Sequence, residues 1–324
     1  MPSSFERGVV MVSIDTEQIW GYLDCLSEAQ FESRFPNAPA AHAKLLARLG
    51  EANVRATWFV VGGLALRGSP GASDQRVWSL IGKGIHVRAS GEAGAPLWYC
   101  RPFLKCLHQA HPAQEIGLHG GLTHLIWTDP RSTLEMARRE LTEGIKELTN
   151  LCGEPTSFSF PRNREAYCHL LPQHGLRCFR GRPPALAWRL GPTLPGAILR
   201  ASEEVLRSTP PLVRPAQTIP GLWNIPASMF FYPIRPARSR IIGLTSRVER
   251  FRRGMEAAAR HRAIFHFCLH PENLVESASG FSVLEDILET LVETRDRGDV
   301  EIMTMRDVVD QMERNQLYDC QRHQ

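Results

Sequence analysis

Short apolar runs recur along the whole chain and alternate with segments of helical periodicity, a pattern that restricts it to an α/β architecture around a largely parallel sheet. The runs are Val9–Ile14, Ala56–Val61, Glu115–Leu118, Ser157–Phe160, Arg177–Arg180, Leu222–Pro226, Ala263–Leu269 and Val300–Met303. Between them, Arg131–Thr149 carries Leu134, Ala137, Leu141, Ile145 and Leu148 at spacings of three and four, with Asp129 and Pro130 placed as cap and first-turn residues. Ala40–Leu49, Val77–Gly82, Val283–Thr294 and Met305–Gln316 read as further helices. Two stretches break the rhythm. Residues 67–112 mix Gly, Pro, Trp and Tyr, and residues 181–220 are rich in proline. Neither has the periodicity for its own core, so both read as loop insertions in a single barrel domain spanning 1–324, with its core at 8–310.

Charge narrows the partners. Lys and Arg number 38 against 34 Asp and Glu, a formal net charge of +4, which is no nucleic-acid footprint. The arginines at 235, 238, 240, 247, 250, 252 and 253 are interrupted by other residue types and read as a solvated helix face. The N-terminus lacks a signal-peptide pattern, and no run approaches the ~18–20 apolar residues of a membrane helix. The eight cysteines show no CxxC pair and read as reduced, mostly buried thiols. The expectation is a cytoplasmic protein without an integral membrane segment.

Chemistry-bearing side chains fall at the ends of the apolar runs. The first run breaks off into Asp15-Thr16-Glu17, two carboxylates at i and i+2 that share one side of a strand end. A structural cap plus a surface acid is the alternative. The third run leads into His119-Gly-Gly-Leu-Thr-His124, where two glycines let the backbone bend so that both imidazoles can reach one metal ion. Phe158-Ser-Phe-Pro161-Arg162-Asn163 ends a run in a cation, and His270-Pro271 closes the run from Ile264. His266 has the same parity but lies deeper, and reads as a satisfied core histidine. In a barrel of parallel strands, C-terminal ends converge on one face. Asp15, Glu17, His119, His124, Arg162 and His270 can therefore meet.

The order strand–D-x-E, then Arg55–Gly62 (R-A-T-W-F-V-V-G), E-I-G-L-H…H, F-P-R-N and L-H-P resembles the polysaccharide deacetylase, or NodB-homology, family (carbohydrate esterase family 4) over residues 8–310. The resemblance implies a distorted (β/α)7 barrel, one divalent metal ion and hydrolysis of an N-acyl group from an amino sugar. It implies Asp15 as catalytic base, Glu17, His119 and His124 as metal ligands, Arg162 as the arginine that orients the base, and His270 as acid. Three features depart from the usual pattern: four residues rather than three separate the histidines, the acids are spaced D-x-E, and F-P-R-N replaces R-x-P. The first two resemble cytoplasmic branches acting on small or lipid-linked sugars.

The expected function is metal-dependent deacylation (a deacetylase or deformylase) of an amino sugar or sugar-containing small molecule, lipid-linked or nucleotide-linked acceptors included. The expected ion is zinc, with cobalt and nickel also suited to a His₂-carboxylate set. Trp20 and Trp127, which follow the ligand segments, are expected to stack on sugar rings. The alternatives are a cyclic amide or imide hydrolase on the same scaffold, and a catalytically inactive sugar-binding barrel. Oligomeric state is open.

Overall fold

The computed structural model describes residues 5–67, 95–184, 188, 190, 193–234 and 242–322. The expected helix Val77–Gly82 lies outside them. Ten strands form one mixed sheet: β1 (Gly8–Thr16), β2 (Thr57–Val60), β3 (Glu115–His119), β4 (Ser157–Ser159), β5 (Cys178–Arg180), β6 (Ala216–Ile219), β7 (Leu222–Asn224), β8 (Met229–Phe230), β9 (Ile264–Leu269) and β10 (Val300–Ile302). The order is β6-β7-β5-β4-β3-β2-β1-β9-β8, with β10 beside the start of β1. Every pairing between these strands is parallel except the β6–β7 hairpin. β6 and β8 are additions to the expected strands. Each is short or lacks an apolar run, so the sequence gives no periodic signal for them.

The parallel strands curl. Three strands separate β1 from β5, so a flat sheet would hold them ~19 Å apart at the usual ~4.8 Å strand spacing. Yet the Arg180 guanidinium of β5 lies 2.6 Å from the Asp15 carboxylate of β1. Only an open barrel with both side chains inside allows this. Residue parity supports it. On β1, Val10, Val12 and Ile14 join the core under the outer helices, whereas Val9 and Met11 join an inner cluster with Phe59 of β2, Cys178 of β5 and Ile264 of β9. Met305, Val308 and Val309 belong to that inner cluster, so the C-terminal helix Met305–Arg322 plugs one end of the barrel. Further along the same parity of β1 stand Ser13 and Asp15. The barrel interior is thus apolar where β1 begins and polar where it ends.

Three local expectations change. The long helix starts at Leu134, capped by Thr133, whose side chain accepts the Met136 N–H. Asp129 instead pairs with Arg131 ahead of the helix. The segment Thr245–His261 is a helix, but its arginines are not one solvated face. Arg247 and Arg250 are buried, whereas Arg252 and Arg253 bind Glu249 at the surface. Among the described cysteines all are free, with Cys25 and Cys106 exposed and Cys100, Cys152, Cys178 and Cys268 buried.

Candidate active site

Asp15, near the end of β1, is 3 % exposed. Its Oδ2 accepts from Arg180 Nη2 at 2.6 Å and lies 3.1 Å from His270 Nε2. Its Oδ1 is buried without a hydrogen-bond partner. Burial alone would raise this carboxyl, but Arg180, followed by His119 and His270, holds it well below the usual carboxylate range. Arg180 also donates through Nη1 to Ser13 Oγ at 3.1 Å, and its guanidinium stands 5.3 Å from the Phe59 ring centroid. Ser13 Oγ lies 2.8 Å from His266 Nε2, and His266 Nδ1 lies 3.0 Å from the Pro226 carbonyl oxygen. A carbonyl only accepts, so Nδ1 carries the proton and Nε2 accepts from the serine. Burial, then Arg180, pushes His266 down to about 3, and it stays neutral. The core-histidine reading of His266 therefore holds, and the residue also anchors the arginine through Ser13.

Glu17 immediately follows β1 and caps the 3₁₀ turn Gln18–Gly21. Its Oε2 stands 3.0 Å from both His119 Nε2 and His124 Nε2, and its Oε1 is 2.8 Å from His270 Nδ1. A Cβ on Gly21 would sit 2.1 Å from the Glu17 carboxylate carbon, so only glycine leaves this acid its place. Burial would raise the Glu17 carboxyl, but His270 and His124 outweigh it and hold it well below its ordinary value. Burial would lower His270, but Glu17 and Asp15 push it up to about 10. Burial pushes the His124 imidazole down.

His119 ends β3, and its Nδ1 donates to the Ser159 carbonyl at 2.9 Å. The extra residue before His124 is absorbed in a tight loop. Gly120 adopts φ +72°, a conformation that favours glycine, and Gly121 packs on Glu140, where a Cβ would meet Glu140 Cγ at 2.4 Å. Glu140, fully buried on the helix Leu134–Cys152, receives the Thr123 N–H at 2.5 Å and the Thr123 hydroxyl at 2.7 Å on Oε1. Its backbone carbonyl accepts from Leu122 N at 3.0 Å. The loop that carries His124 is thereby fixed from behind.

One donor atom from each of Glu17, His119 and His124 lies within 4.8 Å of the others, all three residues being buried. The donor chemistry fits a divalent cation. The His119 Nδ1–H is committed to the Ser159 carbonyl, which turns Nε2 toward the Glu17 carboxylate as the ring's ligand atom. A cation placed between the two imidazole nitrogens and that oxygen would be held by all three. Two imidazoles and one carboxylate are a common ligand set for zinc.

The site opens into a cleft of about 810 Å³ that contains Asp15, Glu17, His119, His124, Arg162, Arg180 and His270 in its lining. Arg162 is in the cleft but does not meet Asp15. Its Nη2 donates to Asp24 Oδ1 at 2.8 Å and to the Gly21 carbonyl at 3.0 Å. The arginine on Asp15 is Arg180, because Arg162 leaves β4 through a turn at φ +54° whereas Arg180 ends its strand pointing inward. Trp20 and Trp127 do not line the cleft. Both are buried, with indole N–H groups donating to the Trp98 and Gly120 carbonyls. The aromatic wall comes instead from Trp188, Phe230 and Tyr232. Trp188 and Tyr232 are near-parallel at 24°, and Phe230 stands edge-on to His270 at 5.2 Å.

No protein-family model and no curated protein matches the chain. Solved structures do. A Mycobacterium smegmatis protein assigned as a polysaccharide deacetylase superposes with a TM-score of 0.61 at 18 % identity, over 98 % of this chain and 93 % of that one. A Pseudomonas aeruginosa PAO1 protein with the same assignment gives 0.59 at 12 % identity, over 94 % and 91 %. The PuuE allantoinase gives 0.55 at 12 % identity, over 96 % and 91 %. The chain therefore has the distorted (β/α)7 barrel fold of polysaccharide deacetylases.

Proposed function

We propose that the protein is a metal-dependent hydrolase that removes an acyl group, acetyl or formyl, from the nitrogen of an amino sugar or sugar-containing small molecule. The observation that carries this reading is the convergence of Glu17, His119 and His124 within 4.8 Å, with Asp15 and His270 directly against them. The whole chain acts as one catalytic barrel in this reading. Glu17, His119 and His124 would hold a divalent ion such as zinc, cobalt or nickel, which would polarise the acyl carbonyl and acidify a water molecule.

The remaining steps belong to the chain's own side chains. Asp15, kept ionised by Arg180, accepts the proton of the attacking water on Oδ1, the oxygen with no other partner. Arg180 fixes the carboxylate through Oδ2 and is itself fixed by Ser13. An amine leaves poorly unless protonated, and His270, held as imidazolium between two carboxylates, donates that proton. Phe230, Tyr232 and Trp188 offer apolar faces to sugar C–H groups. Arg162 holds the Asp24 side of the mouth rather than the base.

A second reading, hydrolysis of a cyclic amide or ureide, is supported by the allantoinase fold match. A cleft of about 810 Å³ favours the larger substrate. The test is metal analysis coupled to acetate and formate release from N-acyl amino sugars, with allantoin in parallel. Asp15→Asn is expected to lower turnover by about 10²–10⁴-fold, the usual span for a general base, with bound metal retained. Near-normal turnover in that variant rejects the assigned role, and turnover of allantoin alone selects the second reading.

A further inference from the structure

The charges that line the cleft do not cancel. Asp15 is paired with Arg180, Asp24 with Arg162, and Glu17 faces three imidazoles. Arg164, Arg182 and Arg200 also line the cleft, and among the described residues neither the Arg164 nor the Arg182 guanidinium meets a carboxylate. Both are exposed, and both are aimed by backbone carbonyls of one loop system. Arg164 donates through Nη1 to Thr128 O at 2.9 Å, and Arg182 clamps Asn163 O through Nε at 3.3 Å and Nη2 at 3.1 Å. The Glu165 carboxylate, the nearest acid in sequence, is engaged by the backbone N–H of Arg182 at 2.8 Å. Asn163, which precedes Arg164 and whose carbonyl Arg182 binds, holds φ +52° next to Arg162 at +54°, so this rim is a left-handed turn rather than an extended strand. Among the described residues, each arginine keeps N–H donors that no protein group uses.

We propose that Arg164 and Arg182 form an anion subsite of the catalytic cleft, and that the substrate is an N-acyl sugar carrying a phosphate or carboxylate. Planar guanidinium groups match the oxygens of both anions through paired N–H donors. Because the two arginines and the reacting centre share one cavity, the anion belongs to the substrate rather than to a separate effector. The proposal rests on the deacylase reading for the sugar, but not for the anion.

The experiment measures binding to the metal-loaded protein by calorimetry, with deacylated sugars that cannot turn over: glucosamine, glucosamine 1-phosphate, glucosamine 6-phosphate and muramic acid. At least one anionic sugar is expected to bind ten-fold or more tightly than glucosamine, with the advantage shrinking as salt rises. The phosphate and carboxylate arms identify the anion. In Arg164→Gln/Arg182→Gln that ratio is expected to fall to near one. Should the double variant not fold, inorganic phosphate must displace the preferred anionic sugar from the wild-type protein. Equal binding of charged and uncharged sugars, or a ratio unchanged in the folded double variant, overturns the subsite. Acetate release from the N-acetylated counterparts reads the deacylase reaction separately, so an anion preference without any release would sink the reaction and keep the subsite.

Discussion

Asp15 and Glu17 leave the same strand two residues apart, yet the protein balances them in different ways. Asp15 meets a permanent cation, Arg180, which is itself tied through Ser13 to a neutral, buried His266. That half is complete as a set of protein groups. Glu17 meets three imidazoles: His270, which it shares with Asp15, on one oxygen, and His119 and His124, each 3.0 Å away through Nε2, on the other. That half is held from outside, by Gly21, Ser159 and the Glu140–Thr123 bonds, in an arrangement that a cation completes. A buried charge is costly unless paired. Asp15 therefore has a fixed arginine of its own, whereas the Glu17 oxygen that faces His119 and His124 is left for a ligand, which keeps a proton acceptor beside a cation site without the two competing.

The largest expected break of this contrast is Arg180→Leu. Removing one partner of a buried pair leaves Asp15 uncompensated, and unfolding by urea should show a loss of about 3–5 kcal/mol. The double variant Asp15→Asn/Arg180→Leu should recover more than half of it, and strictly additive losses would show that the pair is not coupled.

Glu140 sharpens the other half. Burial pushes its carboxyl up to about 7 against the hydrogen bonds from Thr123 that lower it. An unfolded glutamate titrates near ~4.3, so between that value and 7 the folded chain keeps a proton the unfolded chain releases. Stability should fall as pH rises through that window, by about 4 kcal/mol at most, and stay low above it. Glu140→Gln keeps the acceptor for Thr123 and should flatten this segment of the stability–pH curve. A slope that survives the substitution assigns the titration elsewhere.

Divalent metal should stabilise the Glu17 half alone. At 100 times its Kd, an ion that binds only the folded state adds about 2.7 kcal/mol. Chelator should reverse the rise in melting temperature, Glu17→Gln should lose it, and Ser13→Ala should keep it. Equal metal responses in wild type and Glu17→Gln would place the ion elsewhere. The smallest effect is expected for Ser13→Ala itself. It removes the hydroxyl between Arg180 and His266, costing about 1 kcal/mol in urea unfolding, with a several-fold lower kcat at unchanged metal content. An unchanged kcat would limit Ser13 to a structural part.

The strands that carry the site were legible because each apolar run stops at a polar residue of inward parity. Asp15, His119 and His270 followed from that pattern, and the structure brings all three together. Arg180 obeys the same pattern at the end of Arg177–Arg180, and the signal for it was present. Arg162 follows the more apolar run, but a proline and a left-handed turn carry it to Asp24. Trp20 and Trp127 lie beside the ligand segments in sequence, and size decides their place: each buries its ring and satisfies its N–H on a carbonyl. The cleft's aromatics come from within the proline-rich stretch (Trp188) and from the short strand β8 and the residues after it (Phe230, Tyr232), where no periodicity marks which ring faces in.

Period-two alternation and strand-end chemistry are local, and the amino-acid order alone determined them: an α/β chain, an acid pair at the end of the first apolar run, imidazoles at the ends of the third and the seventh. Which cation each acid meets was decided by the curl of the sheet, since Asp15 and Arg180 are separated by three strands and touch only across the barrel interior. The same holds for the uncompensated arginines at the rim. Their charge is written in the sequence, but that no carboxylate among the described residues faces them is a property of which loops the open barrel brings together.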